Sequence, residues 1–232
     1  ASTFRTWNGT GRARARRGIE ARHVRSSRIV ICIVKITSHL KTVIEAIDVI
    51  NSADPHQIRI HDEMRPKELA HAAMVSAWIE RLRPDADDAL RIAAHGHHIR
   101  RWAIPRSNYP AGRRGYLRWR QALQELHAAT LAGVMTELGF DKSMTRRVQD
   151  IVRKKNLRCD ADVQALEDAL CLVFLETQLS ELRSKHPNHI VVNAVRKTWC
   201  KMSTHAQALA NDLDLPPDDQ EFLAQALEPG SS

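Results

Sequence analysis

One run constrains the fold of this chain more than any other: Ala169-Leu170-Cys171-Leu172-Val173-Phe174-Leu175, inside a longer helical stretch from about Ala161 to Arg183. A helix that is apolar on every side must be buried on every side, so this segment is expected to be the central rod of a helical core. It is far short of the roughly 18 apolar residues needed to cross a membrane, as is the strip Ile29 to Ile36, and no membrane partner is expected. The rest of the chain from Lys41 onward carries the same helical period. Val43, Ile44, Ile47 and Ile50 share one face. Leu69, Met74, Trp78, Ile79 and Leu82 share another, on a helix entered through Arg65-Pro66.

Punctuation divides the pattern. Asp88, after Pro84-Asp85, predicts a capped helix running to about Trp102. Pro105, Pro110, Gly112 and Gly115 mark a loop. A long helix is expected from about Tyr116 to Leu138, stopping at Gly139, and Asp141 opens another through Ile151. Shorter helices around Ile190–Trp199, Thr204–Asn211 and Pro217–Leu227 close the chain. No strand alternation lasts beyond four residues, the one extended stretch being Gln57 to Ile60. The expected class is all-α, a single-domain helical bundle of eight or nine helices over residues 41–230.

Charge separates the remaining residues. The net charge is +8, but residues 1–42 hold ten basic side chains and one acid, net +9, while the other 190 residues hold 25 basic and 26 acidic ones, net −1. Residues 1–40 are therefore set apart as a basic tail. It is either a targeting segment resembling a mitochondrial transit peptide, a disordered tail, or a mis-joined upstream segment. The four scattered cysteines form no CxxC pair, which fits free thiols in a reducing, cytoplasmic setting and sets aside a cysteine zinc cage. There is no phosphate-cradling glycine loop, nucleophile elbow or HExxH motif. Cys171 falls in the buried run, and Cys159 and Cys200 lack an obvious base.

Two groups of residues stand against this background. Polar residues occupy positions where a helical core should be apolar: His71, His97, His98, His127 and Asp168. Burying them costs free energy unless they are hydrogen-bonded or ligated. Any one of the histidines alone is read as a satisfied core or surface histidine, and Asp168 alone equally as a helix cap or a partner for a basic residue. The second group lies between Ala89 and Gln124, where eight arginines occur without a carboxylate. Arg100, Arg101, Arg106, Arg113 and Arg114 interleave with Trp102, Tyr109, Tyr116 and Trp119. Arginine pairs bidentately with phosphate and stacks on aromatic rings, so the segment is expected either to hold an anionic or phosphorylated ligand or to pin the loop through Asp85, Asp87, Asp88, Glu167 or Glu176.

Taken in order, His71-Ala-Ala-Met74-Val75, Ala94-His95-Gly96-His97-His98-Ile99, His127 to Gly133, and Leu166-Glu167-Asp168-Ala169 resemble the ordered motifs of the HD-domain metal-dependent phosphohydrolases. That resemblance implies a helical hydrolase fold. It further implies a divalent metal (manganese, iron, nickel or zinc) held by His71, His97, His98 and Asp168, with His98, Asp168 and His127 as the catalytic set. The sequence departs from the pattern in two places. The doublet's aspartate is His98 here, which favours softer ions over magnesium, and a later histidine pair is Lys154-Lys155. The missing aspartate also argues against a diiron oxygenase.

More closely, the chain resembles the domain of unknown function 4202 family. The residues that carry this are Arg65 to Leu69, His98 to Pro110, Arg113 to Arg120, Leu166 to Glu176 and Arg196 to Trp199. The resemblance brings no reaction with it. Two functions are therefore expected as alternatives: an HD-like hydrolase acting on a phosphorylated or anionic small molecule or nucleotide, or a silent adaptor that recognises RNA or a protein through the Arg/Trp loop.

Overall fold

Helix α6 (Ala161–Thr177) is the element around which the others are placed. Val163, Leu166, Ala169, Leu172, Val173 and Leu175 are buried around its circumference, and it packs on helices that precede it and helices that follow it. In the computed structural model the described residues are 39–60 and 62–228. The basic tail assigned to residues 1–40 lies outside them except for its last two residues. The chain is all-α over these residues, as its periodicity predicts.

The helices α1 (39–51), α2 (Lys67–Leu82), α3 (Asp88–Gly96), α4 (Gly112–Glu137) and α5 (Lys142–Val152) come first. After α6 come α7 (Leu179–Lys185), α8 (Asn188–Trp199), α9 (Thr204–Asn211) and α10 (Pro217–Leu227). Between α1 and α2 sits the one small sheet among the described residues, β1 (Gln57–Ile60) antiparallel to β2 (Glu63–Pro66), with Gln57 opposite Pro66. The expected strand at Gln57 to Ile60 is thus half of a hairpin. Helix α2 packs on α3 and α6, and α4 packs on α5, which meets α3 and α6 in turn.

Local chemistry accounts for most boundaries. Asp87, Asp141, Asp160 and Ser203 each cap a helix by accepting from backbone N–H groups of its first turn, satisfying donors that have no intrahelical partner. Gly139 ends α4 at φ +79°, as expected of a left-handed cap. Two expectations are corrected. The stretch from Ala161 to Arg183 is two helices, broken at Gln178 (φ −123°, ψ −10°). The helix expected to run to Trp102 stops at Gly96, because the chain turns there and Arg100 adopts the left-handed conformation at φ 55°.

That early stop positions the candidate site. Gly96 lies where α3 meets α4, so closely that a Cβ at Gly96 would come 2.4 Å from Leu131 Cδ2. The turn that follows is held by Ile99 N–H donating to Gly96 O at 3.0 Å and Arg101 N–H donating to His98 O at 3.0 Å. The buried Asn51 of α1 accepts from Arg100 N–H at 3.3 Å. His97 and His98 are therefore carried on a fixed turn, not on a helix face.

Candidate functional site

Three separate elements bring four imidazoles together: His71 from α2, His97 and His98 from the turn after α3, and His127 from α4. The rings of His71 and His98 stack at 4.8 Å between centroids, His97 and His98 are 4.1 Å apart, and His71 and His97 5.1 Å. His127 lies 5.7 Å from His98. One ligand nitrogen from each of His71, His97 and His98 falls within 4.8 Å of the others. The four histidines singled out by their apolar surroundings in sequence are thus neighbours in space.

Their protonation follows from their partners. His97 Nδ1 lies 2.7 Å from Ala94 O and His127 Nδ1 2.7 Å from Ile99 O. A carbonyl only accepts, so each Nδ1 carries the proton. Burial pushes His71 and His127 down to about 4 and His97 and His98 well below the ordinary histidine range, so all four are neutral at pH 7. In a neutral imidazole with a protonated Nδ1, Nε2 is a bare lone pair. The Nε2 atoms of His71, His97 and His127 are buried and lack any hydrogen-bond partner.

The carboxylate beside this cluster is Glu68, one helical turn before His71 on α2. Its Oε2 lies 3.1 Å from His98 Nδ1, within hydrogen-bond distance. Burial drives Glu68 up to about 7 against the opposing pull of Arg101 and Lys67. The pair is therefore a hydrogen bond to a neutral imidazole, not a fully developed ion pair. Glu68 is itself fixed, because Asp54 Oδ2 accepts its backbone N–H at 3.0 Å. Asp54 also accepts from His56 N–H at 2.9 Å, tying the start of α2 to the hairpin. The Glu-x-x-His spacing of Glu68 and His71, which puts both side chains on one helical face, is the signal in sequence that points to Glu68.

Asp168 is not brought to the cluster. Its Oδ2 accepts from Ser203 Oγ at 2.6 Å, and its Oδ1 accepts from Ser203 N–H at 2.8 Å and from Gln164 Nε2 at 2.9 Å. The expected metal-binding and catalytic aspartate instead anchors the start of α9, and its acceptor sites are taken. Lys154 is half-buried in an ion pair with Glu167 and lines the smaller cavity beside His97, His98 and His127.

The Arg-rich segment divides in two. Arg101, with 26% of its side chain exposed, lies 3.5 Å from Glu68 Oε1 and over the Trp119 ring, while Trp119 Nε1 donates to Ile104 O. Arg106 donates to the carbonyls of Tyr109 and Pro110, closing its own loop. By contrast Arg100, Arg113, Arg114 and Tyr116 are exposed, with Tyr116 receiving a hydrogen bond from Arg120 at 3.3 Å. Tyr109 and Trp102 are half-buried. Four of the five acids expected as structural partners are engaged elsewhere: Asp85 with Arg83, Asp87 at its own cap, Glu167 with Lys154 and Lys201, Glu176 with Trp78 Nε1.

Two cavities adjoin the cluster. One of about 260 Å³ is lined by Lys67, Glu68, Arg101, Trp102, Arg106 and Trp119, among others. A smaller one of about 40 Å³ is lined by His97, His98, His127, Arg101, Arg120 and Lys154, among others.

The fold and site define an all-α protein built around a buried cluster of neutral histidines flanked by cations. The sequence model of the family described as Domain of unknown function (DUF4202) matches residues 41–223, and the chain belongs to that family. No curated protein and no solved structure matches the chain. Among the described residues no helix is long and apolar enough to cross a membrane, and Cys159, Cys171 and Cys200 are free thiols. Burial pushes the Cys171 thiol up to about 12, which leaves it a poor nucleophile.

Proposed function

We propose that this protein is a hydrolase-type member of the HD-like group that acts on a phosphorylated or otherwise anionic small molecule at the histidine cluster. His71, His97 and His98 would hold a divalent metal, with His127 beside them. The observation that carries this reading is the convergence of His71, His97 and His98, one ligand nitrogen from each lying within 4.8 Å of the others, with the Nε2 atoms of His71 and His97 buried and unpartnered. Each orphaned buried polar atom costs about 1–3 kcal/mol, and three neutral imidazoles gathered in one place match the donor set of a divalent cation. A set of imidazoles without a bound aspartate suits zinc, nickel, iron or manganese better than magnesium. The outer partners fit the same reading: Ala94 O and Ile99 O set the tautomers of His97 and His127, and Glu68 stands within hydrogen-bond distance of His98 Nδ1, the kind of support that metal-bound histidines usually have.

When bound, such a metal lowers the pKa of a coordinated water and polarises a phosphoryl oxygen. The chain's own residues divide the remaining work. Arg101, Arg120 and Lys154 put positive charge around the histidine cavity and would orient the anion. Glu68, with its carboxyl poised near neutrality, can exchange a proton at Oε2. The ordered resemblance of His71, His97-His98 and His127 to the HD pattern supports the class, and the use of Asp168 as a structural anchor sets this member apart within it.

The test is elemental analysis of protein purified without chelators, beside His71→Ala and His97→Ala variants, followed by a phosphomonoester screen. Near-stoichiometric metal lost in both variants, with phosphate release that depends on it, is the expected result. A folded wild type that takes up no manganese, iron, nickel or zinc on reconstitution would sink the reading.

A second reading, an RNA-recognising adaptor, is favoured by one observation. Arg113, Arg114 and Arg118 stand exposed on the first turns of α4 beside Tyr116 and Leu117. Their combined replacement by alanine should remove RNA binding and leave metal content untouched if that face is an RNA surface.

A further inference from the structure

Arg101 borders both cavities. Its guanidinium is largely buried and sits 4.9 Å from the Trp119 ring centroid. The one carboxylate near it, Glu68, is 3.5 Å away, beyond the length of a good hydrogen bond. A planar fork of donors, held against an aromatic face and not taken up by a protein acceptor, is organised in advance for an oxyanion. The larger cavity carries two further cations, Lys67 and Arg106, against a single acid, Glu68. Arg106 is positioned there by its bonds to Tyr109 O and Pro110 O, and Lys67 is exposed at the mouth. A ligand with one anionic group, placed between Arg101 and the histidines, would leave the far side of that cavity with unmatched positive charge. The volume of about 260 Å³ lies just under the roughly 300–1,000 Å³ common for drug-sized ligands, which fits a small molecule and not a polymer.

We infer that the ligand of this site is a small molecule with two anionic groups: a phosphoryl group bound by Arg101 on the histidine side, and a second acidic group bound by Lys67 and Arg106 in the larger cavity. The inference rests on the proposed reading of the histidine cluster as a site for phosphorylated small molecules. Lys67 is then the residue that selects for the second charge, and Arg101 the one that both halves of the ligand require.

Calorimetric titration of the full-length, metal-reconstituted chain with glycerol 3-phosphate and with 3-phosphoglycerate tests this, since the two differ by a carboxylate in place of a hydroxymethyl group. The second probe should bind about tenfold tighter or more, the gain of one charge-assisted contact. Lys67→Met should cut that preference, and Lys67→Met with Arg106→Met should bring the second probe down to the level of the first, whose own affinity stays the same. Arg101→Met should weaken both, and Arg101→Lys, which keeps the charge but loses the fork, should recover only part. Equal binding of the two probes to the wild type, or a preference left undiminished by Lys67→Met, overturns the two-anion inference and leaves the phosphate reading standing. Failure of both probes and of inorganic phosphate to bind takes down both together.

Discussion

At the scale of single residues, what matters about the histidines is less that they are buried than which nitrogen each one offers. Backbone carbonyls fix Nδ1–H on His97 and His127, and Glu68 holds the His98 ring through its Nδ1. Replacing Glu68 by alanine should therefore loosen His98 and weaken metal binding about 10- to 100-fold, while Glu68→Gln, whose amide oxygen can still accept from Nδ1, should retain most of it. A competition titration against a chromogenic chelator reads both. Asp168 makes the opposite prediction. Asp168→Ala should destabilise the fold by about 1–3 kcal/mol, because Ser203 N–H and Oγ lose their acceptor, and should leave the metal content per folded molecule as in the wild type. Chemical denaturation with parallel elemental analysis checks this, and loss of metal from the folded variant would return Asp168 to the site. The histidines were legible in sequence because they interrupt apolar stretches. Glu68 was marked only by its spacing to His71, a weak signal because it sits among Arg65, Lys67 and other charged residues of an ordinary-looking first turn. Asp168 misled because its partner Ser203 is 35 residues away, and a buried carboxylate looks the same in sequence whether it meets a hydroxyl or an ion.

At the scale of elements, the loop between the turn and α4 is held by close backbone packing. Gly115 lies so near Pro110 that an added Cβ would meet Pro110 O at 1.9 Å, and a carbonyl cannot rotate away as a side-chain tip can. Gly115→Ala should displace the loop that carries Arg106 and Tyr109. The expected outcome is a lower melting temperature together with weakened phosphate binding, whereas Gly133→Ala on the same helix, where a Cβ meets nothing within 4 Å, should melt at or above the wild-type temperature. Thermal denaturation and phosphate titration of the two variants decide it. The glycines and prolines of this loop were visible in sequence as punctuation. That one of them is a packing contact, and that α3 ends at Gly96 six residues before its expected end, were not, since the turn depends on α1 reaching across to Arg100 N–H through Asn51.

The whole molecule sets the pH response, since the cluster exists only when α2, α4 and the turn after α3 are assembled. His71 and His127 titrate near 4 when folded and near 6.5 when not. The unfolded chain therefore binds protons first as pH falls, and stability from these groups is complete above about 6.5 and lost between 6.5 and 4, by ~3 kcal/mol for each of the two. Glu68 acts in the other direction. Its carboxyl is raised to about 7, so folding is opposed increasingly from 4.5 up to 7. The histidines outnumber it, and the metal-free protein should lose stability as pH drops from 6.5 to 4, in urea melts taken across that range. A flat profile there would mean that the histidines are not buried together.

The sequence by itself determined that this is a helical protein, where most helices begin and end, and that α6 is central, because helix periodicity, capping and all-round apolarity are local properties written within a dozen residues. It also determined which histidines are out of place in an apolar setting. Only the tertiary structure decided that Glu68 and not Asp168 stands beside them, that the Nε2 atoms of His71, His97 and His127 are left without partners, and that Arg101 is shared between two cavities. Each of these depends on contacts between residues distant in the chain, and a side chain's partner there is set by how the helices pack, not by the residues next to it.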